Sequence, residues 1–180
     1  LMKKTLLIAG IVLLGVIVPS LILLPQLLNW IGFHPDYERT EYNLDGRRAL
    51  IIATNHDTLG DPADGVKTGV YGSELTIAYY EFIDAGMTVD IASIEGGEIP
   101  FEPVSLRWPL ATHADKRYLD DADAQNKTQN SLRIEDVDFT DYDIIWLAGG
   151  WGAAYDLGFS QELGDKISEA YEGDVLLGSV

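Results

Sequence analysis

The sequence predicts an α/β fold in which an open parallel sheet carries helices on both faces. Within residues 47–180, four short apolar segments alternate with segments whose apolar residues recur at helical spacing. Short apolar runs bounded by glycines and polar residues are typical of strands that are buried on both faces, as in parallel sheets. Their alternation with helices favours the α/β class over an all-β or all-helical fold.

The order of these elements can be followed along the chain. The predicted strands cover residues 47–54, 87–93, 143–148 and 174–180. The predicted helices cover residues 73–85 and 161–171, with one or two polar surface helices in residues 112–130. Residues 55–72 and 94–106 are rich in glycine, proline and polar residues, and predict irregular loops.

The first 33 residues predict a membrane anchor. Lys3 and Lys4 precede an uncharged run, and its segment 6–24 would span about 28 Å as a helix, close to the thickness of a bilayer core. Residues 20–35 contain no alanine, so the small-residue cleavage site of a signal peptide is missing and an uncleaved anchor is favoured. The positive charge before the run predicts a cytoplasmic N-terminus and a domain outside, in a bacterial periplasm or on the cell surface.

This prediction sets the domain organisation. Residues 1–33 form a signal anchor that contacts lipid through residues 5–33, residues 34–46 form a linker, and residues 47–180 form the α/β domain.

Composition excludes several functions. The formal net charge of −17 repels phosphate backbones, so nucleic acid is not an expected partner. The 180 residues contain no cysteine, which excludes disulfides, thiolate metal sites and a thiol nucleophile within them.

Three features map to the edge of the sheet where the strands have their carboxyl ends, which is where open α/β sheets place their sites. Glu74 lies in the first turn of its helix, where a carboxylate either complements the helix dipole or acts as a general acid/base. Gly150 and Trp151 follow the third strand, and their N–H groups form either an oxyanion hole or a plain turn. The end of the strand at 174–180 is the third feature.

Two further patterns carry less weight. His56, Asp57, Asp61 and Asp64 crowd one loop, but polar loops collect such residues by default, so no metal is expected. The glycines at 149–152 lack the spacing of a dinucleotide motif and no P-loop lysine follows, so no nucleotide cofactor is expected.

Several motifs, taken in order, resemble the ThiJ/PfpI family of the class I glutamine amidotransferase-like superfamily. They are TGVYGSE at 68–74, Ala85–Gly86, VDIAS and its following glycines at 89–97, the prolines and serine of 100–105, and DYDIIWLAGGWGAAYDL at 141–157. The resemblance covers residues 47–180, and the branch most similar to it contains glyoxalase III and heat-shock chaperone members.

The resemblance implies a flavodoxin-like sandwich and a cysteine nucleophile on a sharp elbow directly after a strand. That cysteine is expected immediately after Val180, outside this chain, so that the α/β domain at 47–180 would be incomplete. Glu74 matches the acid that hydrogen-bonds the cysteine, and Gly150 and Trp151 match the oxyanion turn, where many relatives have histidine in place of Trp151.

The implied activity is glyoxalase III or deglycase chemistry: a 2-oxoaldehyde such as methylglyoxal, or a glycated substrate, is converted to a 2-hydroxy acid without a cofactor. A chaperone-like stress-binding module, or a peptidase or amidotransferase-like hydrolase of the same fold, are the alternatives. A homodimer is left open. Ending at the fourth strand also predicts an uncovered sheet edge and poor folding of the isolated chain.

Overall fold

The computed structural model describes residues 2–30 and 40–180, which form two compact units divided near residue 40. The first unit contains helix α1, Met2–Trp30. Residues 31–33 of the predicted anchor and 34–39 of the predicted linker lie outside the described residues.

The membrane prediction is not supported. Among residues 2–30 and 40–180, no helix has both the length and the apolar character that a bilayer crossing requires. The anchor predicted for residues 5–33, with its lipid contacts, therefore has no support from the described residues.

The second unit is an α/β domain. Its elements in chain order are β1 Arg48–Ala53, β2 Thr58–Leu59, β3 Val66–Lys67, α2 Gly72–Asp84, β4 Thr88–Ser93, α3 His113–Asp120, α4 Ala122–Gln129, β5 Leu132–Arg133, β6 Ile144–Leu147, α5 Gln161–Glu172 and β7 Leu176–Ser179. Five strands form one parallel sheet in the order β5-β4-β1-β6-β7, and β2 and β3 form a small antiparallel pair.

Alternating residues of β1 show why the sheet is covered on both faces. Ala49, Ile51 and Ala53 belong to a buried cluster with α2, α3 and α4. Leu50 and Ile52 belong to a second buried cluster that includes residues of α5. All five side chains are fully buried, so the continuous apolar run that predicted this strand is explained by helices on either side. The predicted α/β fold is confirmed.

Local signals fix the helix ends. Thr112 and Asp115 form a reciprocal capping box at α3, Asp121 caps α4 and Ser160 caps α5. Helix α2 differs because its N-terminus has no side-chain cap of its own. The first N–H of α2, at Gly72, donates instead to the Ser105 hydroxyl at 3.0 Å.

Three short strands were not predicted, namely β5, β2 and β3. Strand β5 and the β2–β3 pair have only two residues per strand, which is too short to show a period of two in the sequence. Strand β5 adds a fifth strand at the edge of the predicted four-stranded sheet, whereas the β2–β3 pair forms a separate sheet. From β1 the chain builds outward to β4 and β5, and then returns to add β6 and β7 on the other side, so the order reverses between β1 and β6. The carboxyl ends of those two strands therefore mark the expected ligand edge.

Candidate active site

Glu74 is held at this edge by contacts between α2 and the end of β6. The Tyr71 N–H, just before α2, donates to the Gly149 carbonyl at 3.0 Å. The indole Nε1 of Trp146 donates to the backbone carbonyl of Glu74, also at 3.0 Å. The first turn of the helix is therefore tied to β6 at two neighbouring points.

The Glu74 carboxylate and the end of β7 converge on Gly149. A Cβ atom placed on Gly149 would lie 2.6 Å from Glu74 Oε2 and 2.8 Å from the carbonyl oxygen of Val180. Both approaches are closer than real Cβ contacts, so a side chain at this position would displace the Glu74 carboxylate or the backbone at Val180. The structure thus brings Glu74 and the end of the predicted strand at 174–180 together at Gly149, directly before the predicted oxyanion turn.

The environment of Glu74 alters its acidity. Burial raises the pKa of its carboxyl, and the backbone N–H of Gly149 opposes this by hydrogen bonding to the charged form. Burial is the larger effect, so the pKa lies above the ordinary value for glutamate. A carboxyl with a raised pKa is better suited than an ordinary one to accept and return a proton near neutral pH.

The turn after β6 depends on glycine at position 150. Gly150 has φ of +131°, and a Cβ there would lie 2.4 Å from the Gly69 carbonyl oxygen and 2.6 Å from the Tyr71 nitrogen. This close packing places the turn against the segment that leads into α2. Within the described part of the chain, the N–H groups of Gly150 and Trp151 have no hydrogen-bond partner, so both can donate to a bound oxyanion.

Asp156, to which the sequence motifs gave no role, holds the segment after the glycine turn in place. Asp156 accepts hydrogen bonds from the Thr54 hydroxyl and the Asn55 N–H, each at 2.8 Å, and from the Leu157 N–H at 2.7 Å. It therefore ties the segment after β6 to the end of β1. No local pattern marks this residue, because Thr54 and Asn55, which directly follow β1, lie 102 and 101 positions away along the chain.

The loop that contains His56 is held together by ring stacking and an ion pair. The His56 ring stacks on Tyr155 with 4.3 Å between ring centroids, and its Nε2 contacts the Thr58 carbonyl. Asp57 is paired with Lys67, whose hydrogen bond is the main cause of the lowered pKa of that carboxyl. Among the described residues, no three histidine, aspartate or glutamate side chains are grouped so that they could hold a metal ion.

A cleft opens beside Glu74, between α2 and the β7 edge of the sheet. Its volume is about 410 Å³, and its lining includes Ile77, Phe82, Trp146 and Val180. It is mainly apolar, with the Glu74 carboxyl as one of its few polar groups.

Comparison with known proteins adds independent information. No protein-family model matches the chain. A glutathione-independent glyoxalase of Schizosaccharomyces pombe is 30% identical over 147 residues, which make up 75% of this chain and 60% of the relative. The 24 kDa rapid encystment protein of Francisella tularensis has a TM-score of 0.67 at 34% identity, covering 74% of this chain and 57% of that one.

A third comparison supports the fold alone. Glyoxalase III of Candida albicans has a TM-score of 0.64 at 21% identity, over 74% of this chain and 56% of that protein. The chain therefore spans a little over half of the length of these relatives.

The parallel sheet, the carboxyl at its switch point and the glycine turn define an α/β domain with a candidate active site at the carboxyl edge of the sheet. The chain belongs to the ThiJ/PfpI family, and its relatives include the glyoxalases of that family. The resemblance drawn from the sequence motifs is confirmed. The roles of Glu74, Gly150 and Trp151 remain predictions.

Proposed function

We propose that this chain acts in a glutathione-independent glyoxalase that converts 2-oxoaldehydes such as methylglyoxal to 2-hydroxy acids. The observation that carries the proposal is the convergence of the Glu74 carboxylate, the Gly149 backbone and the end of β7 at one point. The glyoxalase relative of Schizosaccharomyces pombe supports the same activity.

The proposed reaction begins when a thiolate adds to the aldehyde carbon and forms a hemithioacetal. The N–H groups of Gly150 and Trp151 stabilise its oxygen. Glu74 removes the proton from C1 and returns it at C2, while the hydroxyl proton at C1 passes to the oxygen at C2, which leaves a 2-hydroxy thioester. Water then hydrolyses the thioester and releases the 2-hydroxy acid and the thiol. Because C1 is oxidised as C2 is reduced, the reaction requires no external oxidant or reductant.

The nucleophile is the component that these 180 residues do not contain, since they include no cysteine. We place it directly after Val180, in the position that the family motif implies. The proximity of the Val180 carbonyl to the Glu74 carboxylate, both close to Gly149, supports this placement. A thiol in that position would lie beside the proposed proton shuttle and the two amides of the oxyanion turn.

Formation of lactate from methylglyoxal without added glutathione tests the proposal. We expect the 180-residue chain to be inactive, and a chain continued past Val180 by a cysteine-containing natural sequence to be active. In that longer chain, Glu74→Gln should reduce turnover by about 10²–10⁴-fold. Glu81→Gln is the matched control, since Glu81 lies on the same helix and lines the same cleft. Turnover that survives in Glu74→Gln would contradict the proposed role.

A chaperone-like function is a second candidate, favoured by exposed apolar side chains at the β7 edge. Leu176 and Val180 are each 67% exposed, and the apolar cleft lies beside Val180. Such a surface can hold unfolded chains. Suppression of the thermal aggregation of a client protein by the 180-residue chain, lost in Leu176→Lys but kept in Glu74→Gln, would support this function over catalysis.

Three expectations stay predictions. They are a location outside the cytoplasm, a homodimer, and the peptidase or amidotransferase alternative. Cell fractionation and analytical ultracentrifugation would test the first two, and hydrolysis of a peptide or glutamine amide by the longer chain would test the third.

A further inference from the structure

Trp146 links the three elements that meet at the candidate active site, β6, α2 and β7. It belongs to β6, and its indole N–H donates to the backbone carbonyl of Glu74 on α2 at 3.0 Å. Its ring lies against Gly178 of β7, where a Cβ would be 2.6 Å from Cε3 and 2.8 Å from Cζ3. The same side chain lines the cleft beside Glu74 and Val180.

The N-terminus of α2 depends on such external contacts because it has no side-chain cap. The Tyr71 and Gly72 N–H groups are held by Gly149 and Ser105, which fix the backbone just before and at the helix start. Trp146 provides the next contact, and it falls on Glu74 itself. A hydrogen bond at that residue limits the rotation of the first turn relative to the sheet.

We propose that Trp146 is a positioning residue for Glu74: its indole holds the first turn of α2 against β6 and β7, so that the carboxylate remains beside Gly149. The proposal rests on the proposed function only in treating Glu74 as the proton shuttle. Whatever reaction the site serves, Trp146 is proposed to keep the Glu74 carboxylate close to the Gly149 amide.

Gly178 provides a second route to the same arrangement. Since any side chain at this position would meet the indole ring within 3 Å, Gly178→Ala must displace the ring or the strand. It should therefore disturb Glu74 without removing the indole N–H. Gly158 is the matched control, because a Cβ there has no neighbour within 4 Å.

Nuclear magnetic resonance titration of the full 180-residue chain tests the proposal. The Gly149 amide proton lies beside the Glu74 carboxyl and reports its ionisation, and the Glu74 carboxyl carbon reports its pKa directly. Trp146→Phe keeps an apolar ring and removes the donor. We expect it to reduce the pH-dependent shift of the Gly149 amide at least about twofold and to move the Glu74 pKa toward its ordinary value, because the carboxyl becomes more exposed.

Trp108→Phe is the control for tryptophan replacement, since Trp108 is 56% exposed and lies outside the cleft lining. A purely structural role for Trp146 would lower the melting temperature and leave both titrations unchanged, and that result overturns the proposal. If Trp146→Phe does not fold, Gly178→Ala decides the matter by the same two titrations.

The titrations can be measured in the absence of turnover. Unchanged titrations in Trp146→Phe therefore refute the positioning role and leave the glyoxalase proposal intact. A chain that carries the cysteine and still fails to convert methylglyoxal refutes the glyoxalase proposal and leaves the positioning role intact. In an active longer chain, we expect Trp146→Phe to lower kcat more than it raises KM for methylglyoxal, because the indole acts on Glu74 rather than on the substrate.

Discussion

Replacing Gly150 with alanine perturbs the candidate oxyanion turn at its least tolerant position. The backbone φ of +131° is one that side chains with a Cβ rarely adopt. The added methyl group would also lie 2.4 Å from the Gly69 carbonyl oxygen and 2.6 Å from the Tyr71 nitrogen. Both neighbours are backbone atoms, so they cannot move aside by changing rotamer.

The expected loss of stability follows from these two effects. An unfavourable backbone conformation costs about 1–3 kcal/mol. Overpacking against atoms that move only with the backbone costs about 1–3 kcal/mol more. We therefore expect Gly150→Ala to lower the free energy of unfolding by about 2–6 kcal/mol.

Urea denaturation followed by circular dichroism would measure this change. Gly158→Ala is the matched control, because that glycine has no positive φ and no atom lies within 4 Å of the place that the added methyl group would occupy. We expect the control to be neutral or slightly stabilising, since alanine restricts the unfolded chain. A loss of less than about 0.5 kcal/mol in Gly150→Ala would refute the argument that this turn requires glycine.

The remaining predictions concern acidity, capping and the sheet edge. The folded-state pKa of Glu74 is raised, so ionisation of this carboxyl destabilises the fold as the pH rises through that pKa. Glu74→Gln should therefore stabilise the fold at pH 7 and lose this advantage in acid. Melting curves at several pH values would measure the difference. Thr112→Ala should cost about 1 kcal/mol in chemical denaturation, since it removes the capping box with the buried Asp115; no loss would show that the box is dispensable. Leu176→Lys should reduce aggregation measured by light scattering, because Leu176 is exposed on the outer edge strand β7. Unchanged aggregation would show that this strand edge does not cause it.

The main strands and helices were predictable because burial leaves a visible pattern in the sequence. The run at 49–53 is apolar without interruption since both of its faces are covered. The same topology allowed Glu74, the glycine turn and the end of β7 to be assigned to one edge before any distance was known. The edge strand β5 and the β2–β3 pair are too short to produce such a pattern.

The supporting contacts of the site were not predictable, because they join residues far apart in the chain. Trp146 and Glu74 are separated by 72 positions, and Asp156 and Thr54 by 102. Nothing in the residues around Trp146 distinguishes a core tryptophan from one that fastens a helix. The membrane anchor was predicted from an apolar run that is easy to see in the sequence, yet the described residues do not support it.

The non-local pairing of β1 with β6 also determines when the site comes into existence during folding. The β1–α2–β4 segment is contiguous and can associate early, whereas Arg48 and Asp143, whose contact flanks the β1–β6 pair, are 95 residues apart. Until β6 docks, Glu74 lies on a helix whose first turn lacks its partners, and its carboxyl is hydrated. We therefore expect Glu74 to keep the ordinary acidity of a hydrated glutamate until β6 docks, so that a partly folded chain would have the carboxyl without its raised pKa.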